Sequence, residues 1–290
     1  ANWEYVGANV KNNAGPEQLP EYWTTTFEGI SVGFIGAVTD ELPSLVSPAG
    51  IANLTIQDPV TAANRVADML SDGDTTNGEA DVVFLLVHEG AATPAIESAT
   101  DPSSRFGRIV LNANANIDAI VSGHTHLAYN HVINGRPVIS SGQYGEKFSN
   151  MTIQVDPIDK HIISMVNVIN TAPGTFADDP TVAGIVSAAV ANATTLGSVQ
   201  LGTVTADFRR GKQSLAAGAG ENRGAESTLG NFVADVQLWS AQQNGTAQIA
   251  FMNPGGLRAD LTLGSDNGVV TFAEAAGVQP FANTLITQDL

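Results

Sequence analysis

Two histidines flank one threonine at the end of an apolar run, in the segment Ile117–His126 (IDAIVSGHTH). Neutral imidazole is the commonest nitrogen ligand for zinc and related metals. Ligands of open α/β sheets bind outside the carboxyl ends of the strands, which is where this run ends. His124 and His126 are therefore candidate metal ligands, and an i, i+2 pair on a tight turn can direct its rings toward two neighbouring metals. The pair alone fits two surface histidines equally well.

His88 favours the metal interpretation because it also closes a buried apolar run, Val82–His88 (VVFLLVH), and is followed by Glu89. Two neighbouring parallel strands would then bring three of the five histidines to one edge of one sheet. His131 and His161 lie in polar or turn-like stretches, and we interpret both as solvated.

A glycine turn near the carboxyl end could bind a phosphorylated ligand. Gly255 and Gly256 let the backbone approach a ligand closely. Arg258 offers a planar fork of donors for phosphate, and Asn253 offers an amide for a base or ribose. Such a turn is weak evidence alone, since glycine followed by arginine occurs in many loops.

The elements around these motifs predict an α/β fold. Apolar runs of the kind buried on both sheet faces alternate with helical patterns. The strands are expected at Ile30–Val38, Val82–His88 and Ile117–Ser122, and the helices at Pro59–Leu70 and Pro102–Ala113. This alternation indicates a sheet with covered faces.

The remainder predicts hairpin-like strands and then a second domain. The strands are expected at Pro137–Ser141, Phe148–Val155 and Ile162–Ile169. Thr171–Pro180 is rich in Pro, Gly and Asp and predicts a boundary before a helix over Thr181–Thr195. An amphipathic helix over Glu226–Gln243, with an apolar stripe, and a short buried strand over Gln248–Met252 should follow. The stripe comprises Leu229, Phe232, Val233, Val236 and Trp239 or Leu238.

Composition limits the classes of partner. The chain has 290 residues, 43% of them hydrophobic, and a net charge of −17. That charge disfavours a nucleic-acid groove or an anionic membrane surface but not a small nucleotide, because a few arginines or metals set the local potential. There is no cysteine. No stretch approaches the roughly 18 apolar residues of a membrane span.

Together the motifs resemble a known family. The strand followed by His88-Glu89-Gly90, and the strand followed by Gly123-His124-Thr125-His126, resemble the calcineurin-like metallophosphoesterases, specifically their 5′-nucleotidase branch. Glu226–Ala234 (ESTLGNFVA), preceded by Arg223, and Ala250–Leu261 (AFMNPGGLRADL) are similar to the C-terminal nucleotide-binding domain of these enzymes.

The resemblance implies a ligand set and a nucleotide site. Two divalent metal ions, zinc, manganese or similar, would be bound, with His88 and His124 on one metal and His126 on the other. The resemblance assigns nucleotide binding to Arg223, Asn253 and Arg258 beside the two glycines Gly255 and Gly256, and base stacking to Phe281. Pro254 replaces a glycine common in this turn, which removes one backbone donor.

We therefore expect an α/β chain, α+β overall. Its first part should be a partial metallophosphoesterase β-sheet sandwich flanked by helices. Part of a smaller α/β nucleotide-binding domain should follow. Its expected parts are an incomplete metallophosphoesterase domain over 1–170, a linker and connecting helix over 171–195, and an incomplete substrate-binding domain over 196–290. The family's Asp-x-His, Gly-Asp and Gly-Asn-His segments are expected upstream of Ala1. Two similar segments occur, Asp159-Lys160-His161 and Gly73-Asp74, and we reject both as ligands because they come in the wrong order and in turn-like surroundings. We expect a fragment truncated at both ends, with no catalytic residue of its own and little activity alone.

The expected function is metal-dependent hydrolysis of nucleotide phosphoesters, by a secreted, periplasmic or cell-envelope protein. Two alternatives stay open within the class, namely a UDP-sugar hydrolase and a 2′,3′-cyclic-nucleotide phosphodiesterase. A third alternative is a non-catalytic nucleotide-binding pseudoenzyme.

Overall fold

The computed structural model describes residues 3–16, 19–46, 48–212, 221–264, 267–281 and 285–289. The chain divides into two compact units, Ala1–Thr175 and Phe176–Leu290. This division falls inside the segment 171–195, for which a linker is predicted. The predicted domain limits themselves stay a prediction.

Twelve strands and seven α-helices form in the described residues. The strands are β1 (Val10–Asn12), β2 (Tyr22–Phe27), β3 (Ile30–Val38), β4 (Leu54–Ile56), β5 (Val82–His88), β6 (Ala119–Ser122), β7 (Ala128–Ile133), β8 (Arg136–Ser141), β9 (Lys147–Val155), β10 (Ile162–Thr171), β11 (Gln200–Thr203) and β12 (Val269–Thr271). The helices are α1 (Leu42–Leu45), α2 (Pro59–Met69), α3 (Ile96–Ala99), α4 (Arg105–Asn112), α5 (Pro180–Gly197), α6 (Thr228–Gln242) and α7 (Phe272–Val278).

The first unit is built around a six-stranded mixed sheet in the order β2-β3-β5-β6-β8-β7. Its four inner strands are parallel neighbours, and β2 and β7 pair antiparallel at the two edges. The register places Val38 beside His88 and Val87 beside Ser122. The carboxyl ends of β3, β5 and β6 therefore meet at one edge of the sheet.

Both faces of this sheet are covered, as the uninterrupted apolar runs predict. Helices α2 and α4 pack on one face, against alternate residues of β3 and β5 such as Ile35 and Leu85. The β9–β10 hairpin packs on the other face, where Phe84 meets Met151 and Met165. Each of the two helices begins at a polar cap: Asp58 accepts the Thr61 N–H at 2.7 Å, and the Ser104 hydroxyl accepts the Gly107 N–H at 2.9 Å.

The second unit has a smaller core. Helices α6 and α7 and the strand β12 contribute Leu229, Val233, Val270 and Val278 to it. Strands β11 and β12 pair antiparallel. The mixed α/β architecture of the two units agrees with the predicted fold class.

Two predictions for the second unit are wrong in detail. Gln248–Met252 forms no strand and is half-buried to exposed, with Ile249 at 64% and Phe251 at 81% exposure. An apolar run becomes a strand only where a neighbouring strand accepts its hydrogen bonds, and in the described residues none pairs with it. The apolar stripe of α6 is also buried only in part, because Val236 and Trp239 are exposed.

No helix among the described residues has the length and apolarity that a bilayer crossing requires. This finding includes α5, an 18-residue helix whose side chains are mostly exposed.

Gly36 in β3 provides a test of the first unit's packing. The N-terminal segment crosses this residue so closely that a Cβ atom would lie 2.2 Å from the Val6 carbonyl oxygen. We expect Gly36→Ala to lower the free energy of unfolding by roughly 1–3 kcal/mol through overpacking. Urea unfolding would be followed by tryptophan fluorescence in a Trp239→Phe background, so that only the first unit reports.

Gly50→Ala is the matched control for Gly36→Ala, because no heavy atom lies within 4 Å of its Cβ position. We expect its urea midpoint to stay within experimental error of the parent's. Equal midpoints for both variants would show that the close crossing at Gly36 does not constrain the fold.

Candidate metal centre and nucleotide site

The sheet brings two of the three predicted metal ligands together. His88 is the last residue of β5, and His124 follows the last residue of β6 by two positions. Their ring centroids lie 5.1 Å apart, with the ring planes at 66°. Because β5 and β6 are parallel neighbours, the pairing of their apolar residues brings the two strand ends to the same edge of the sheet.

The loop after β6 has an unusual backbone. His124 and His126 have φ angles of 68° and 63°, in the left-handed region. Histidine adopts this region more often than most residues, although it is still uncommon for it. The loop after β5 approaches so closely that a Cβ on Gly90 would lie 2.3 Å from the Gly123 carbonyl oxygen. Only glycine at position 90 permits this approach.

The electrostatics of the pair favour a neutral His88 ring. Partial burial lowers the pKa of His88, and repulsion from a charged His124 lowers this pKa further, against the opposing effect of Glu89. In the described part of the chain, the imidazoles of His88, His124 and His126 make no hydrogen bond to protein groups. Their ring nitrogens are thus available to a ligand, and a neutral imidazole is the form that binds metal.

His126 makes no ring contact with this pair among the described residues. It is exposed, and its ring meets that of Tyr144 edge-on, with centroids 5.4 Å apart. Among the described residues, the one group of three side chains with ligand atoms within 4.8 Å of one another is Asp156, Asp159 and His161. We interpreted His161 as solvated. It lies in the exposed β9–β10 turn, where Asp159 accepts a 2.5 Å hydrogen bond from its ring.

His131, which is interpreted as solvated, is half-buried and makes two contacts. Its Nε2 lies 3.0 Å from the Pro94 carbonyl oxygen, and its ring stacks on that of Tyr129 at 5.5 Å. Neither contact could be predicted from the local sequence. The contact with Pro94 joins segments far apart in the chain, and the contact with Tyr129 depends on how β7 is packed.

Beside the pair lies Glu89, a buried carboxylate that is not among the predicted site residues. It is 6% exposed, and its Oε2 accepts a 2.7 Å hydrogen bond from the Thr39 hydroxyl at the end of β3. A polar cavity of about 480 Å³ adjoins it. Arg105 lines the cavity and is paired with Asp40 at 2.7 Å and with Glu41 at 2.8 Å. An acid directly after a strand-ending histidine is the signal that could have identified Glu89.

The predicted nucleotide-binding residues of the second unit lie close together. Pro254–Gly256 forms a 3₁₀ turn, and Arg258 Nη1 donates to the Gly255 carbonyl at 3.4 Å. The guanidinium carbon of Arg258 lies 5.6 Å from the centre of the Phe281 ring. A Cβ on Gly255 would lie 3.6 Å from both Arg223 Nη1 and Asn253 Nδ2.

The tight turn explains two further residues of this motif. A Cβ on Gly256 would lie 2.5 Å from Met252 Cε and 3.1 Å from Asn253 Oδ1, so a side chain there would displace the end of Met252. Pro254 occupies the first position of the 3₁₀ turn, where a backbone N–H has no partner within the helix.

Acidic residues orient the arginines of this unit. Arg223 Nε donates to Glu221 at 2.9 Å, and Glu221 also accepts from Arg210 at 3.1 Å. Arg210 Nε in turn donates to Asp260 at 2.9 Å. Burial raises the pKa of Asp260, but the hydrogen bonds of Arg210 outweigh it and hold that pKa below its ordinary value. The sequence did not identify this network, because its members are up to 50 residues apart.

Residues 200–290 match the family described as 5′-nucleotidase, C-terminal domain. The endonuclease YhcR of Bacillus subtilis is 24% identical over 98% of this chain and 21% of its own length. The cell wall protein Lmo0130 of Listeria monocytogenes is 26% identical over 98% of this chain and 37% of its own. The chain therefore spans well under half the length of these relatives.

A solved structure has a similar fold. The 5′-nucleotidase precursor of Thermus thermophilus superposes with a TM-score of 0.66 at 20% identity, over 97% of this chain and 54% of that one. The domain match over residues 200–290 and the similar fold over almost the whole chain agree with the resemblance that the motifs predicted: the second part of the chain matches the 5′-nucleotidase C-terminal domain, and the fold is that of a solved 5′-nucleotidase precursor.

Proposed function

We propose that this protein takes part in metal-dependent hydrolysis of nucleotide phosphoesters, with a metal centre in its first unit and a nucleotide site in its second. The observation that carries the proposal is the His88–His124 pair, whose ring centroids lie 5.1 Å apart at the ends of two parallel strands. The names of the Thermus relative and of the matched domain family support a nucleotide as the substrate.

The residues fit a divalent metal, because two imidazoles that make no hydrogen bond to other described residues are a donor set for zinc or manganese. When bound, such a metal would supply Lewis acidity at a phosphoryl oxygen. His88 and His124 would hold one metal, and His126 would serve a second. Glu89, held by Thr39, fixes the loop that begins at His88.

In the second unit, Arg258 and Arg223 would bind the phosphates, Asn253 the base or ribose, and Phe281 one face of the base. Gly255 and Gly256 would let the backbone approach the ligand. The guanidinium of Arg258 already lies against Phe281, so a phosphate and a base could be bound side by side. These roles rest on position in the family motif and on the proximity of the side chains.

A nucleic-acid substrate is suggested by the name of YhcR, an endonuclease. The net charge of −17 disfavours it, since a polyanion gains affinity chiefly by neutralising its phosphates with lysine and arginine. We therefore propose a small nucleotide, and a secreted or envelope location, for which the name of the Listeria cell wall protein is the support. UDP-sugars, cyclic nucleotides and a purely binding role remain the alternatives that an assay must separate.

Metal binding tests the first unit directly. We expect His88→Ala and His124→Ala each to weaken binding of Mn²⁺ or Zn²⁺ by more than about tenfold, or about 1.4 kcal/mol, because each removes one of two donors. Isothermal titration of the 290-residue chain measures the dissociation constant.

Two histidine variants serve as controls for this titration. His131→Ala removes an imidazole that contacts Pro94 and Tyr129 and none of the predicted ligands, so it should weaken binding less than either His88→Ala or His124→Ala. His161→Ala tests the hairpin group of Asp156, Asp159 and His161. If His161→Ala abolishes binding while His88→Ala does not, the metal binds the hairpin and the proposed centre is wrong.

Nucleotide binding tests the second unit. We expect Phe281→Ala to weaken AMP binding by roughly 1–3 kcal/mol, the usual effect of removing one stacking ring. Arg258→Lys should also weaken it, because a lysine cannot present the planar fork of donors. Titration of AMP into the metal-free chain provides the affinities.

Phe272→Ala is the matched control for Phe281→Ala. Phe272 starts α7 and is 52% exposed, against 56% for Phe281. Equal losses from the two variants would mean that Phe281 does not contact the base.

Phosphate release tests the whole proposal. We expect the 290-residue chain to release little phosphate from AMP or UDP-glucose with added Mn²⁺ or Zn²⁺. In the described residues, no carboxylate joins His88 and His124 in a group of three ligands that could bridge two metals. If the gene encodes more than these 290 residues, its whole product should be active, and His124→Ala should abolish that activity. Full activity of the 290-residue chain would contradict the proposed ligand requirement, and an inactive gene product would favour the pseudoenzyme.

A further inference from the structure

Tyr129 on β7 reaches both loops that carry the histidine pair. Its side chain is buried, with 4% exposure. Its hydroxyl oxygen accepts the Ala91 N–H at 3.2 Å and lies 2.7 Å from the Ser122 hydroxyl. Ala91 is three residues beyond His88, and Ser122 is two residues before His124. One phenol therefore joins the loop after β5 to the end of β6.

The direction of these hydrogen bonds follows from the next partner. The Ser122 hydroxyl donates to the Ile139 carbonyl on β8 at 2.7 Å, so its oxygen is free to accept from Tyr129. A phenol has one proton, and Ser122 can accept it because its own proton goes to Ile139, whereas Ala91 is itself a donor. The chain thus runs from the Ala91 N–H through Tyr129 and Ser122 to Ile139. Burial raises the pKa of Tyr129, so the phenol stays protonated at neutral pH.

The ring that carries this hydroxyl is held on two sides. It stacks on His131 with the planes 8° apart, and the Phe106 ring of α4 lies 6.0 Å away. A Cβ on Gly90 would come within 3.3 Å of the hydroxyl, so the loop after β5 packs closely against Tyr129. The position of the hydroxyl is therefore fixed by contacts that do not involve the histidine pair.

We propose that Tyr129 is a positioning residue of the metal centre, whose hydroxyl holds the two loops together and so sets the separation of the His88 and His124 imidazoles. This inference rests on the proposed metal centre. It assigns a role to a residue that contacts neither imidazole and whose phenyl ring alone would fill the same space.

The test is Tyr129→Phe in the 290-residue chain, which removes the hydroxyl and keeps the ring. The matched control is Tyr22→Phe, because the Tyr22 hydroxyl also makes one long-range hydrogen bond, to the Asn77 carbonyl at 2.6 Å, in the loop that enters β5. Three quantities are measured for each variant: the Co²⁺ dissociation constant from the visible absorption of the bound ion, the hydrogen-exchange rate of the Ala91 amide by NMR, and the melting temperature.

We expect Tyr129→Phe to weaken Co²⁺ binding about tenfold, as loss of a supporting hydrogen bond typically does. The Ala91 amide should exchange faster. Tyr22→Phe should change the melting temperature comparably and leave both the affinity and the Ala91 amide unchanged. This difference separates positioning from a general loss of stability.

A double variant checks that the hydroxyl acts through Ser122. Ser122→Ala should weaken Co²⁺ binding on its own, and adding it to Tyr129→Phe should produce little further loss, because both remove the same link. If His88→Ala removes Co²⁺ binding but Tyr129→Phe leaves the affinity within twofold of the parent's, the inference is overturned and the metal centre stands. If His88→Ala leaves the Co²⁺ affinity unchanged, the proposed metal centre is wrong, and this inference fails with it.

Discussion

The parallel pairing of β5 with β6 is the constraint on which the candidate metal centre depends. Both strands are buried on both faces, by α2 and α4 on one side and by the β9–β10 hairpin on the other. A shift of one residue in register would exchange the residues that face the two layers. The apolar side chains therefore fix where each strand ends, and the ends fix where His88 and His124 lie.

Backbone strain is concentrated at this same edge of the sheet. His124, His126 and Tyr144 all have left-handed φ angles, each of which costs roughly 1–3 kcal/mol. The apolar layers on both faces of the sheet offset this strain, so the loops can hold conformations that they would not adopt alone. Gly90 adds a second requirement, because the loops after β5 and β6 approach too closely for any side chain there.

The sequence predicted most accurately what depends on local pattern. Strands β3 and β5 have the predicted bounds, and α2 ends one residue short of its prediction. Contacts between distant segments could not be predicted, because no spacing rule connects them. Glu89 with Thr39 and Tyr129 with Ala91 are examples, separated by 50 and 38 residues. The strand predicted at Gln248–Met252 failed for the same reason, since apolar composition does not reveal whether a neighbouring strand is present.

An acidic chain can bind an anionic substrate, because the net charge of the chain and the charges next to the bound phosphate act over different distances. At physiological ionic strength, charges more than about 8 Å from a bound phosphate are largely screened. The net charge of −17 therefore slows the encounter more than it weakens the complex.

The nearest charges decide affinity, and in the second unit these include Arg223 and Arg258. Glu221 holds Arg223 through Nε, so the guanidinium is oriented before a ligand arrives while its Nη1 lies near Gly255. An arginine already oriented loses less side-chain entropy on binding, which partly offsets the repulsion from the neighbouring acid.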